Sequence, residues 1–329
     1  MLDDDNLLAQ RDPRGMLDAA KLEWQNVGTT HGVEFVSTHD VTNIVWAGMG
    51  AAALSAEVIR QWLGLSVPLE VSRDYDIPSY VGPQTLFVAA SYSGDSEEVV
   101  EALAKADAAG AQIVVMTAGS HLAAMTRENK YLLIEIPKES ITQATVFHFV
   151  SAFAAAIKDL SISDVSTGEL ETIGLWLQSE LQSWSKASQL TANPAKQLAM
   201  QLVGKTPIVY SGPKMSPAAQ AWKLGCNLYA KNTAWTGQYP EFNYAEYDGW
   251  TSHPIEKPFA VVEIRSDLDH VRIKEQFKLA ERSLSGRRPA PIVVKPRGET
   301  VLQQLAWSSA FGEFVMIYLA ILNGVSPTN

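Results

Sequence analysis

The sequence has little sulfur chemistry and little positive charge. Cys226 is its one cysteine in 329 residues, which excludes an intrachain disulfide and a metal site built from several thiolates. With 26 lysines and arginines against 36 aspartates and glutamates, the formal net charge is −10. That charge argues against nucleic acid or an anionic membrane as the main partner. A small phosphate stays compatible with it, because backbone N–H groups and a few side chains can hold one.

Long hydrophobic runs are also missing. The most apolar stretch, from Phe314 to Leu322, is too short to span a bilayer, and it predicts the buried face of a terminal helix. The chain begins with Met1, Leu2 and three aspartates, which is the wrong charge for a signal peptide. We therefore expect a soluble, cytoplasmic protein with no membrane partner.

Strand-like and helical patterns alternate along most of the chain. The segment 85–90 is continuously apolar, as expected for a strand buried on both faces of a parallel sheet. Further strand–turn–helix units follow it, and a second series begins after a mainly helical stretch. We predict an α/β fold with two subdomains, each a doubly wound, mainly parallel sheet flanked by helices. The predicted segments are 1–155, a helical connection over 156–203, and 204–329.

The first turn of chemical interest is the glycine turn, Gly48-Met49-Gly50-Ala51-Ala52-Ala53. It follows a predicted strand and fits the pattern G-x-G-x-x-A. Glu70 ends the next predicted strand, where a dinucleotide-binding fold places its ribose-binding acid. An NAD-dependent oxidoreductase is therefore one hypothesis. The other is that the glycines serve only the geometry of a tight turn.

The second turn of chemical interest is the serine turn, Ser91-Tyr92-Ser93-Gly94-Asp95-Ser96. It follows a predicted buried strand and precedes a predicted helix that begins at Glu97-Glu98. Free N–H groups and the positive end of the helix dipole attract an anion there, and hydroxyl groups add donors. A simpler alternative is that Asp95 or Ser96 only caps the helix. Capping explains Ser91 and Ser93 poorly, so the pattern favours a phosphate site.

Together, the two turns are similar to those of a sugar isomerase (SIS) domain. The whole chain resembles the bifunctional phosphoglucose/phosphomannose isomerase family through four further motifs: Asp12-Pro13, Asn227-x-x-Ala230-Lys231, Pro240-Glu241-Phe242-Asn243 and Gly324-Val325-Ser326-Pro327. The resemblance implies two SIS subdomains, a homodimer, a phosphorylated hexose as ligand, and no metal or nucleotide cofactor. It also implies a phosphate site whose members are Ser91, Ser93, Ser96, Gly48, Met49 and Gly50.

The family's catalytic groups do not stand at the matching positions. Its arginine, glutamate and histidine correspond to Gln143, Leu228 and Tyr244, and its first loop has a serine where this chain has only alanines. We also expect its lysine-bearing last helix to be missing, because the sequence stops at Asn329. Leucine cannot accept a proton, and glutamine has no charge to stabilise an enediolate. The sequence therefore argues against ordinary aldose–ketose isomerisation of hexose 6-phosphates.

Two acids are candidates for a displaced catalytic base. Glu241 and Glu246 lie in the polar, aromatic-rich stretch 235–253, whose glycines and proline predict a loop. The alternative is that these acids are simply solvated.

Overall fold

The computed structural model of the chain describes residues 2–28, 35–138, 143–163, 168–251 and 258–328. Its helices are α1 (Asp5–Arg11), α2 (Met16–Gln25), α3 (Gly50–Trp62), α4 (Glu97–Ala108), α5 (Ser120–Asn129), α6 (Ala144–Ala156), α7 (Gly168–Trp184), α8 (Pro194–Leu202), α9 (Ser216–Leu228), α10 (Glu246–Thr251), α11 (Val271–Ser283) and α12 (Val301–Asn323). Its strands are β1 (Asn43–Gly48), β2 (Leu69–Ser72), β3 (Thr85–Ala90), β4 (Gln112–Thr117), β5 (Leu132–Glu135), β6 (Thr206–Ser211), β7 (Trp235–Gln238), β8 (Phe259–Ile264) and β9 (Ile292–Val294). Two short 3₁₀ helices cover Pro213–Met215 and Glu241–Tyr244.

The chain divides into two compact units. One is Asn26–Gly174, and the other combines Leu175–Asn329 with Met1–Gln25. Each contains one parallel sheet flanked by helices, which confirms the predicted α/β class. The two leading helices group with the C-terminal unit, where α2 packs against α12.

The sheet of the 26–174 unit has the strand order β2-β1-β3-β4-β5. Every residue of β3 and β4 is buried, as the apolar sequence of β3 predicts. The side chains of successive strand residues point to opposite faces. On one face Val45 packs in a cluster with Phe87 and with Leu103 of α4. On the other, Trp46 meets Phe153 of α6 edge to face, with ring centroids 5.1 Å apart.

The sheet of the other unit has the order β7-β6-β8-β9, again with parallel neighbours. Here the loop predicted over 235–253 is wrong for its described part, which contains β7, a 3₁₀ helix and α10. In β7, Trp235 lies opposite Ile208 of β6. The last two residues of that stretch, Ser252 and His253, lie outside the described residues.

The long terminal helix α12 forms the core of this unit. In the part of the chain that the structure describes, it is the one helix whose length and composition would allow it to cross a membrane, and 94% of its apolar window is buried inside the protein. Trp184 of α7 packs against Trp307 and Phe311 of α12, with ring centroids 5.4 and 5.2 Å away. The predicted buried terminal helix is confirmed.

Polar contacts connect the leading helices to the same unit. The indole N–H of Trp24 donates to the buried carboxylate of Glu313, at 2.6 Å. Lys196 is fully buried, and its ammonium donates to Asp3 at 2.8 Å and to the backbone oxygen of Ser188 at 2.7 Å. These pairs explain why the first 25 residues group with the C-terminal unit.

Candidate phosphate-binding site

In the 26–174 unit, the glycine turn and the serine turn follow neighbouring strands. β1 and β3 are paired in register, with Gly48 opposite Ala90, so both turns leave the same carboxyl edge of the sheet. Here the strand order changes direction, because β1 leads to β2 on one side and β3 leads to β4 on the other. Open α/β sheets bind their ligands in the crevice outside such a switch point.

The glycine turn passes close to the neighbouring strand. A Cβ on Gly48 would lie 3.1 Å from the backbone oxygen of Ala90, so a larger residue would push the two strand ends apart. Gly50 has a φ of +49°, a backbone conformation that favours glycine. Helix α3 begins there, and the side chain of its N-cap residue Met49 makes no capping hydrogen bond. The turn therefore presents backbone N–H groups rather than side chains to the crevice.

The serine turn gathers its three hydroxyl groups at the start of α4. The Oγ of Ser91 lies 2.8 Å from that of Ser96 and 3.5 Å from that of Ser93. The same Ser91 oxygen accepts the N–H of Gly94 at 3.2 Å, while Ser93 accepts that of Asp95 at 3.3 Å. The three hydroxyl groups of the turn therefore lie together at the N-terminus of α4.

The simple capping alternative does not describe this arrangement. Ser96 occupies the N-cap position of α4, yet its side chain makes no capping hydrogen bond and instead contacts Ser91. Ser91 is buried, whereas Ser93 is exposed. The hydroxyls are thus arranged with respect to one another, and the first N–H groups of α4 receive no side-chain cap.

The loop after β4 holds the serine turn in place, a contact that sequence reasoning missed. Gly94 has a φ of +77°, and a Cβ there would lie 2.8 Å from the carbonyl carbon of Gly119. A Cβ on Gly119 would overlap the backbone oxygen of Ser93. Two backbone hydrogen bonds join the same two loops. The N–H of Ala118 donates to the carbonyl oxygen of Tyr92 at 3.2 Å, and the N–H of Leu122 donates to that of Gly94 at 3.1 Å. The sequence signal for this contact is Gly119 itself, a glycine in the short loop between β4 and α5.

Glu70 does not behave as a free ribose-binding acid. It is the second residue of β2 rather than the last, and its carboxylate accepts the hydroxyl proton of Tyr80 at 2.6 Å. Burial and this bond raise the pKa of Tyr80 to about 12. Among the described residues there is no cluster of three or more histidine, cysteine, aspartate or glutamate side chains suited to a metal ion.

The positions that match the family's catalytic groups carry no carboxylate or guanidinium. In the 26–174 unit, Gln143 is buried at the start of α6. In the other unit, Leu228 ends α9 with 41% of its surface exposed, and Tyr244 is 80% exposed. The candidate bases Glu241 and Glu246 are exposed in that unit, and Glu246 lies beside Gly237 of β7.

The second sheet has its own switch point, between β6 and β8. Gly212 follows β6, and Asp269 lies in the loop after β8, with its carboxylate against Gly212. Asp269 is 4% exposed, and within the described segments no hydrogen bond of good geometry reaches its carboxylate, although the backbone N–H of Lys214 lies near enough to favour the charged form. Burial raises the pKa of Asp269 from 3.8 to about 6, against the opposing effects of Lys214 and Lys274.

Comparison with known proteins defines the class to which this fold and site belong. Residues 39–157 match the SIS domain, and residues 191–329 match the bacterial phospho-glucose isomerase C-terminal SIS domain. A solved structure described as a glucose-6-phosphate isomerase like protein from Thermus thermophilus superposes with a TM-score of 0.67 at 20% identity, covering 100% of this chain and 97% of that one. The chain belongs to the SIS-domain proteins, with one domain around each sheet.

Curated relatives narrow the class further. The bifunctional phosphoglucose/phosphomannose isomerase of Aquifex aeolicus is 26% identical over 287 residues, which cover 86% of each chain. That of Caldicellulosiruptor bescii is 27% identical over 298 residues, covering 89% of this chain and 88% of the relative. The predicted resemblance to the bifunctional phosphoglucose/phosphomannose isomerase family is confirmed. The oxidoreductase hypothesis gains no support from these relatives or from Glu70.

Proposed function

We propose that this protein binds a phosphorylated hexose, with the phosphate held at the serine turn and the glycine turn. The observation that carries the proposal is that the hydroxyls of Ser93 and Ser96 both lie within 3.5 Å of the Ser91 hydroxyl, at the uncapped start of α4. A phosphate monoester needs several donors, and these hydroxyls and the first N–H groups of two helices supply them. Neutral donors are sufficient for one phosphate, so the site fits an acidic protein.

We further propose that the protein does not isomerise its ligand in the manner that its family implies. Proton transfer between C1 and C2 requires a base and a group that stabilises the developing oxyanion. Leu228 and Gln143 can supply neither a proton acceptor of suitable pKa nor a positive charge. The exposed carboxylates of Glu241 and Glu246 are the remaining candidate bases in this scheme. Binding without turnover is therefore the proposed activity, and the resemblance supports a cytoplasmic homodimer as its setting.

Calorimetric titration of the full chain with fructose 6-phosphate tests the binding site. We expect Ser93→Ala and Ser91→Ala/Ser93→Ala to weaken binding at least tenfold, which is about 1.4 kcal/mol, because hydrogen bonds to a charged phosphate are lost. Ser66→Ala/Ser72→Ala is the matched control: it removes two hydroxyls of the same unit that bond backbone oxygens elsewhere. Unphosphorylated fructose should not bind. If the serine-turn variants retain the parent affinity, the phosphate assignment is wrong.

A coupled assay at high protein concentration tests the second part. We expect no conversion of fructose 6-phosphate to glucose 6-phosphate or mannose 6-phosphate above the blank. Turnover that is lost in Glu241→Gln or Glu246→Gln would refute binding without catalysis and identify a displaced base. Such a result would not affect the assignment of the phosphate site, because the calorimetric titration tests that assignment separately.

A further inference from the structure

A cavity of about 430 Å³ opens at the carboxyl edge of the second sheet, in the other unit from the serine turn. Arg265 follows β8 and Lys295 follows β9, while Lys274 and Lys278 come from α11. We call this cavity the lysine pocket. Its volume suits a small metabolite, and the carboxyl edge is where open α/β sheets bind ligands.

Two of the four cations in the lysine pocket are held by the protein itself. The guanidinium of Arg265 bonds Glu263 at 2.8 Å and Glu281 at 2.7 Å. The ammonium of Lys274 donates to the backbone oxygen of Asp267 at 2.9 Å. These bonds fix two positive groups in the wall of the cavity, so the wall is more than a group of mobile surface lysines.

The other two cations lack a compensating carboxylate. Across the described ranges, neither Lys278 nor Lys295 forms an ion pair, and the single acid that lines the cavity, Asp267, accepts a hydrogen bond from the amide of Gln304. Lys278 stands one turn beyond Lys274 on the same face of α11, where like charges repel each other. Because Arg265 is already paired with Glu263 and Glu281, the positive charge that a ligand can meet comes from Lys274, Lys278 and Lys295, against the lining carboxylate of Asp267.

We propose that the lysine pocket binds a compact anion with more than one phosphate charge, of the pyrophosphate or sugar-bisphosphate class. Several ammonium groups around one cavity favour a multiply charged ligand over a monoester, because each added charge meets a cation. The serine turn instead offers neutral hydroxyl and N–H donors, which suit one phosphate group. The lysine pocket is thus independent of the proposed hexose-phosphate site.

Calorimetric titration of the full chain with pyrophosphate at low salt tests the proposal. The informative variant is Lys278→Gln/Lys295→Gln, which removes two charges from exposed side chains and keeps their length. Its matched control is Lys205→Gln/Lys223→Gln, two lysines of the same unit outside the cavity. We expect at least tenfold weaker binding in the first variant, an unchanged affinity in the control, and weaker binding as salt is added.

The serine-turn variant Ser91→Ala/Ser93→Ala separates this proposal from the previous one. We expect it to retain pyrophosphate binding while it loses fructose 6-phosphate. Equal affinities in the two lysine variants would overturn the proposal, and so would loss of pyrophosphate binding in the serine variant. Absence of pyrophosphate binding at millimolar concentration would overturn it as well, and would leave the hexose-phosphate proposal unaffected.

Discussion

Replacing Asp269 by asparagine should remove a pH-dependent cost to the stability of the protein. Asp269 is buried against Gly212, and in the described part of the chain no well-formed hydrogen bond reaches its oxygens, although the backbone N–H of Lys214 lies nearby. Desolvation disfavours the charged carboxylate, which raises its pKa, while Lys214 and Lys274 offset part of this effect. Asparagine has nearly the same shape and carries no charge at any pH.

The magnitude follows from the difference between the folded and the ordinary pKa of Asp269. In the folded protein the carboxyl group releases its proton near pH 6, and in the unfolded chain near 3.8. Below pH 3.8 both states are protonated, so the full stability is present. Between pH 4 and 6 the unfolded chain binds fewer protons, so stability falls as the pH rises. Above about pH 6.5 the loss levels off at about 3 kcal/mol.

Urea unfolding followed by tryptophan fluorescence from pH 4 to pH 8 would measure this effect. We expect the free energy of unfolding of Asp269→Asn, minus that of the parent, to grow by about 2 kcal/mol between pH 4 and 6.5 and then to change little. The rise in this difference is diagnostic, because any change in packing or hydrogen bonding adds an amount that does not depend on pH.

The variant Lys214→Gln serves as a control, because it should enlarge the stability loss that Asp269→Asn removes. It removes a charge that favours the ionised carboxylate, so the pKa of Asp269 should rise further and the stability loss should extend to higher pH. The reasoning is refuted if the difference between Asp269→Asn and the parent is the same at pH 4.5 and pH 7.5. It is also refuted if Lys214→Gln moves the loss to lower pH.

Two further predictions concern one glycine and the cysteine. Gly94→Ala should lower the free energy of unfolding by roughly 1–3 kcal/mol and weaken fructose 6-phosphate binding, because its φ of +77° and the backbone 2.8 Å from the new Cβ both oppose a side chain. Gly82→Ala meets no atom within 4 Å and should change little; equal losses in both would contradict this account. Burial raises the pKa of Cys226 to about 12, so the folded chain should not react with a thiol reagent at pH 8, whereas the urea-unfolded chain should react once; fast labelling of the folded chain would refute this.

Strongly patterned segments were predictable from the sequence. The strand at 85–90, apolar from Leu86 onward, and the helix that opens after the serine turn need only local patterns, and the structure has both. The juxtaposition of Gly48 with the serine turn also follows, because parallel strands end at the same edge of a sheet. These parts succeed because local preference and tertiary packing favour the same conformation.

Other parts depend on contacts that no local pattern contains. Strand β7 has four residues, includes Gly237 and leaves Trp235 exposed at the sheet edge, so it lacks the apolar signal of a strand. The second leading helix, α2, joins α12 through the pairing of Trp24 with Glu313, residues that lie far apart in sequence. The support of the serine turn by Gly119 is likewise visible only once β3 and β4 are paired.

The two sheets share one architecture but differ in the chemistry of their switch points, and this difference determines where anions can bind. Gly212 directly follows β6, and Gly48 is the last residue of β1, yet the loop after β8 places the carboxylate of Asp269 where the first sheet has hydroxyl groups. Above pH 6 that carboxylate is charged and repels a phosphate. A phosphate monoester therefore suits the first crevice, and an anion that binds the second sheet must use the lysine pocket near β9. Asp269→Asn should leave fructose 6-phosphate affinity unchanged if this division of roles is correct.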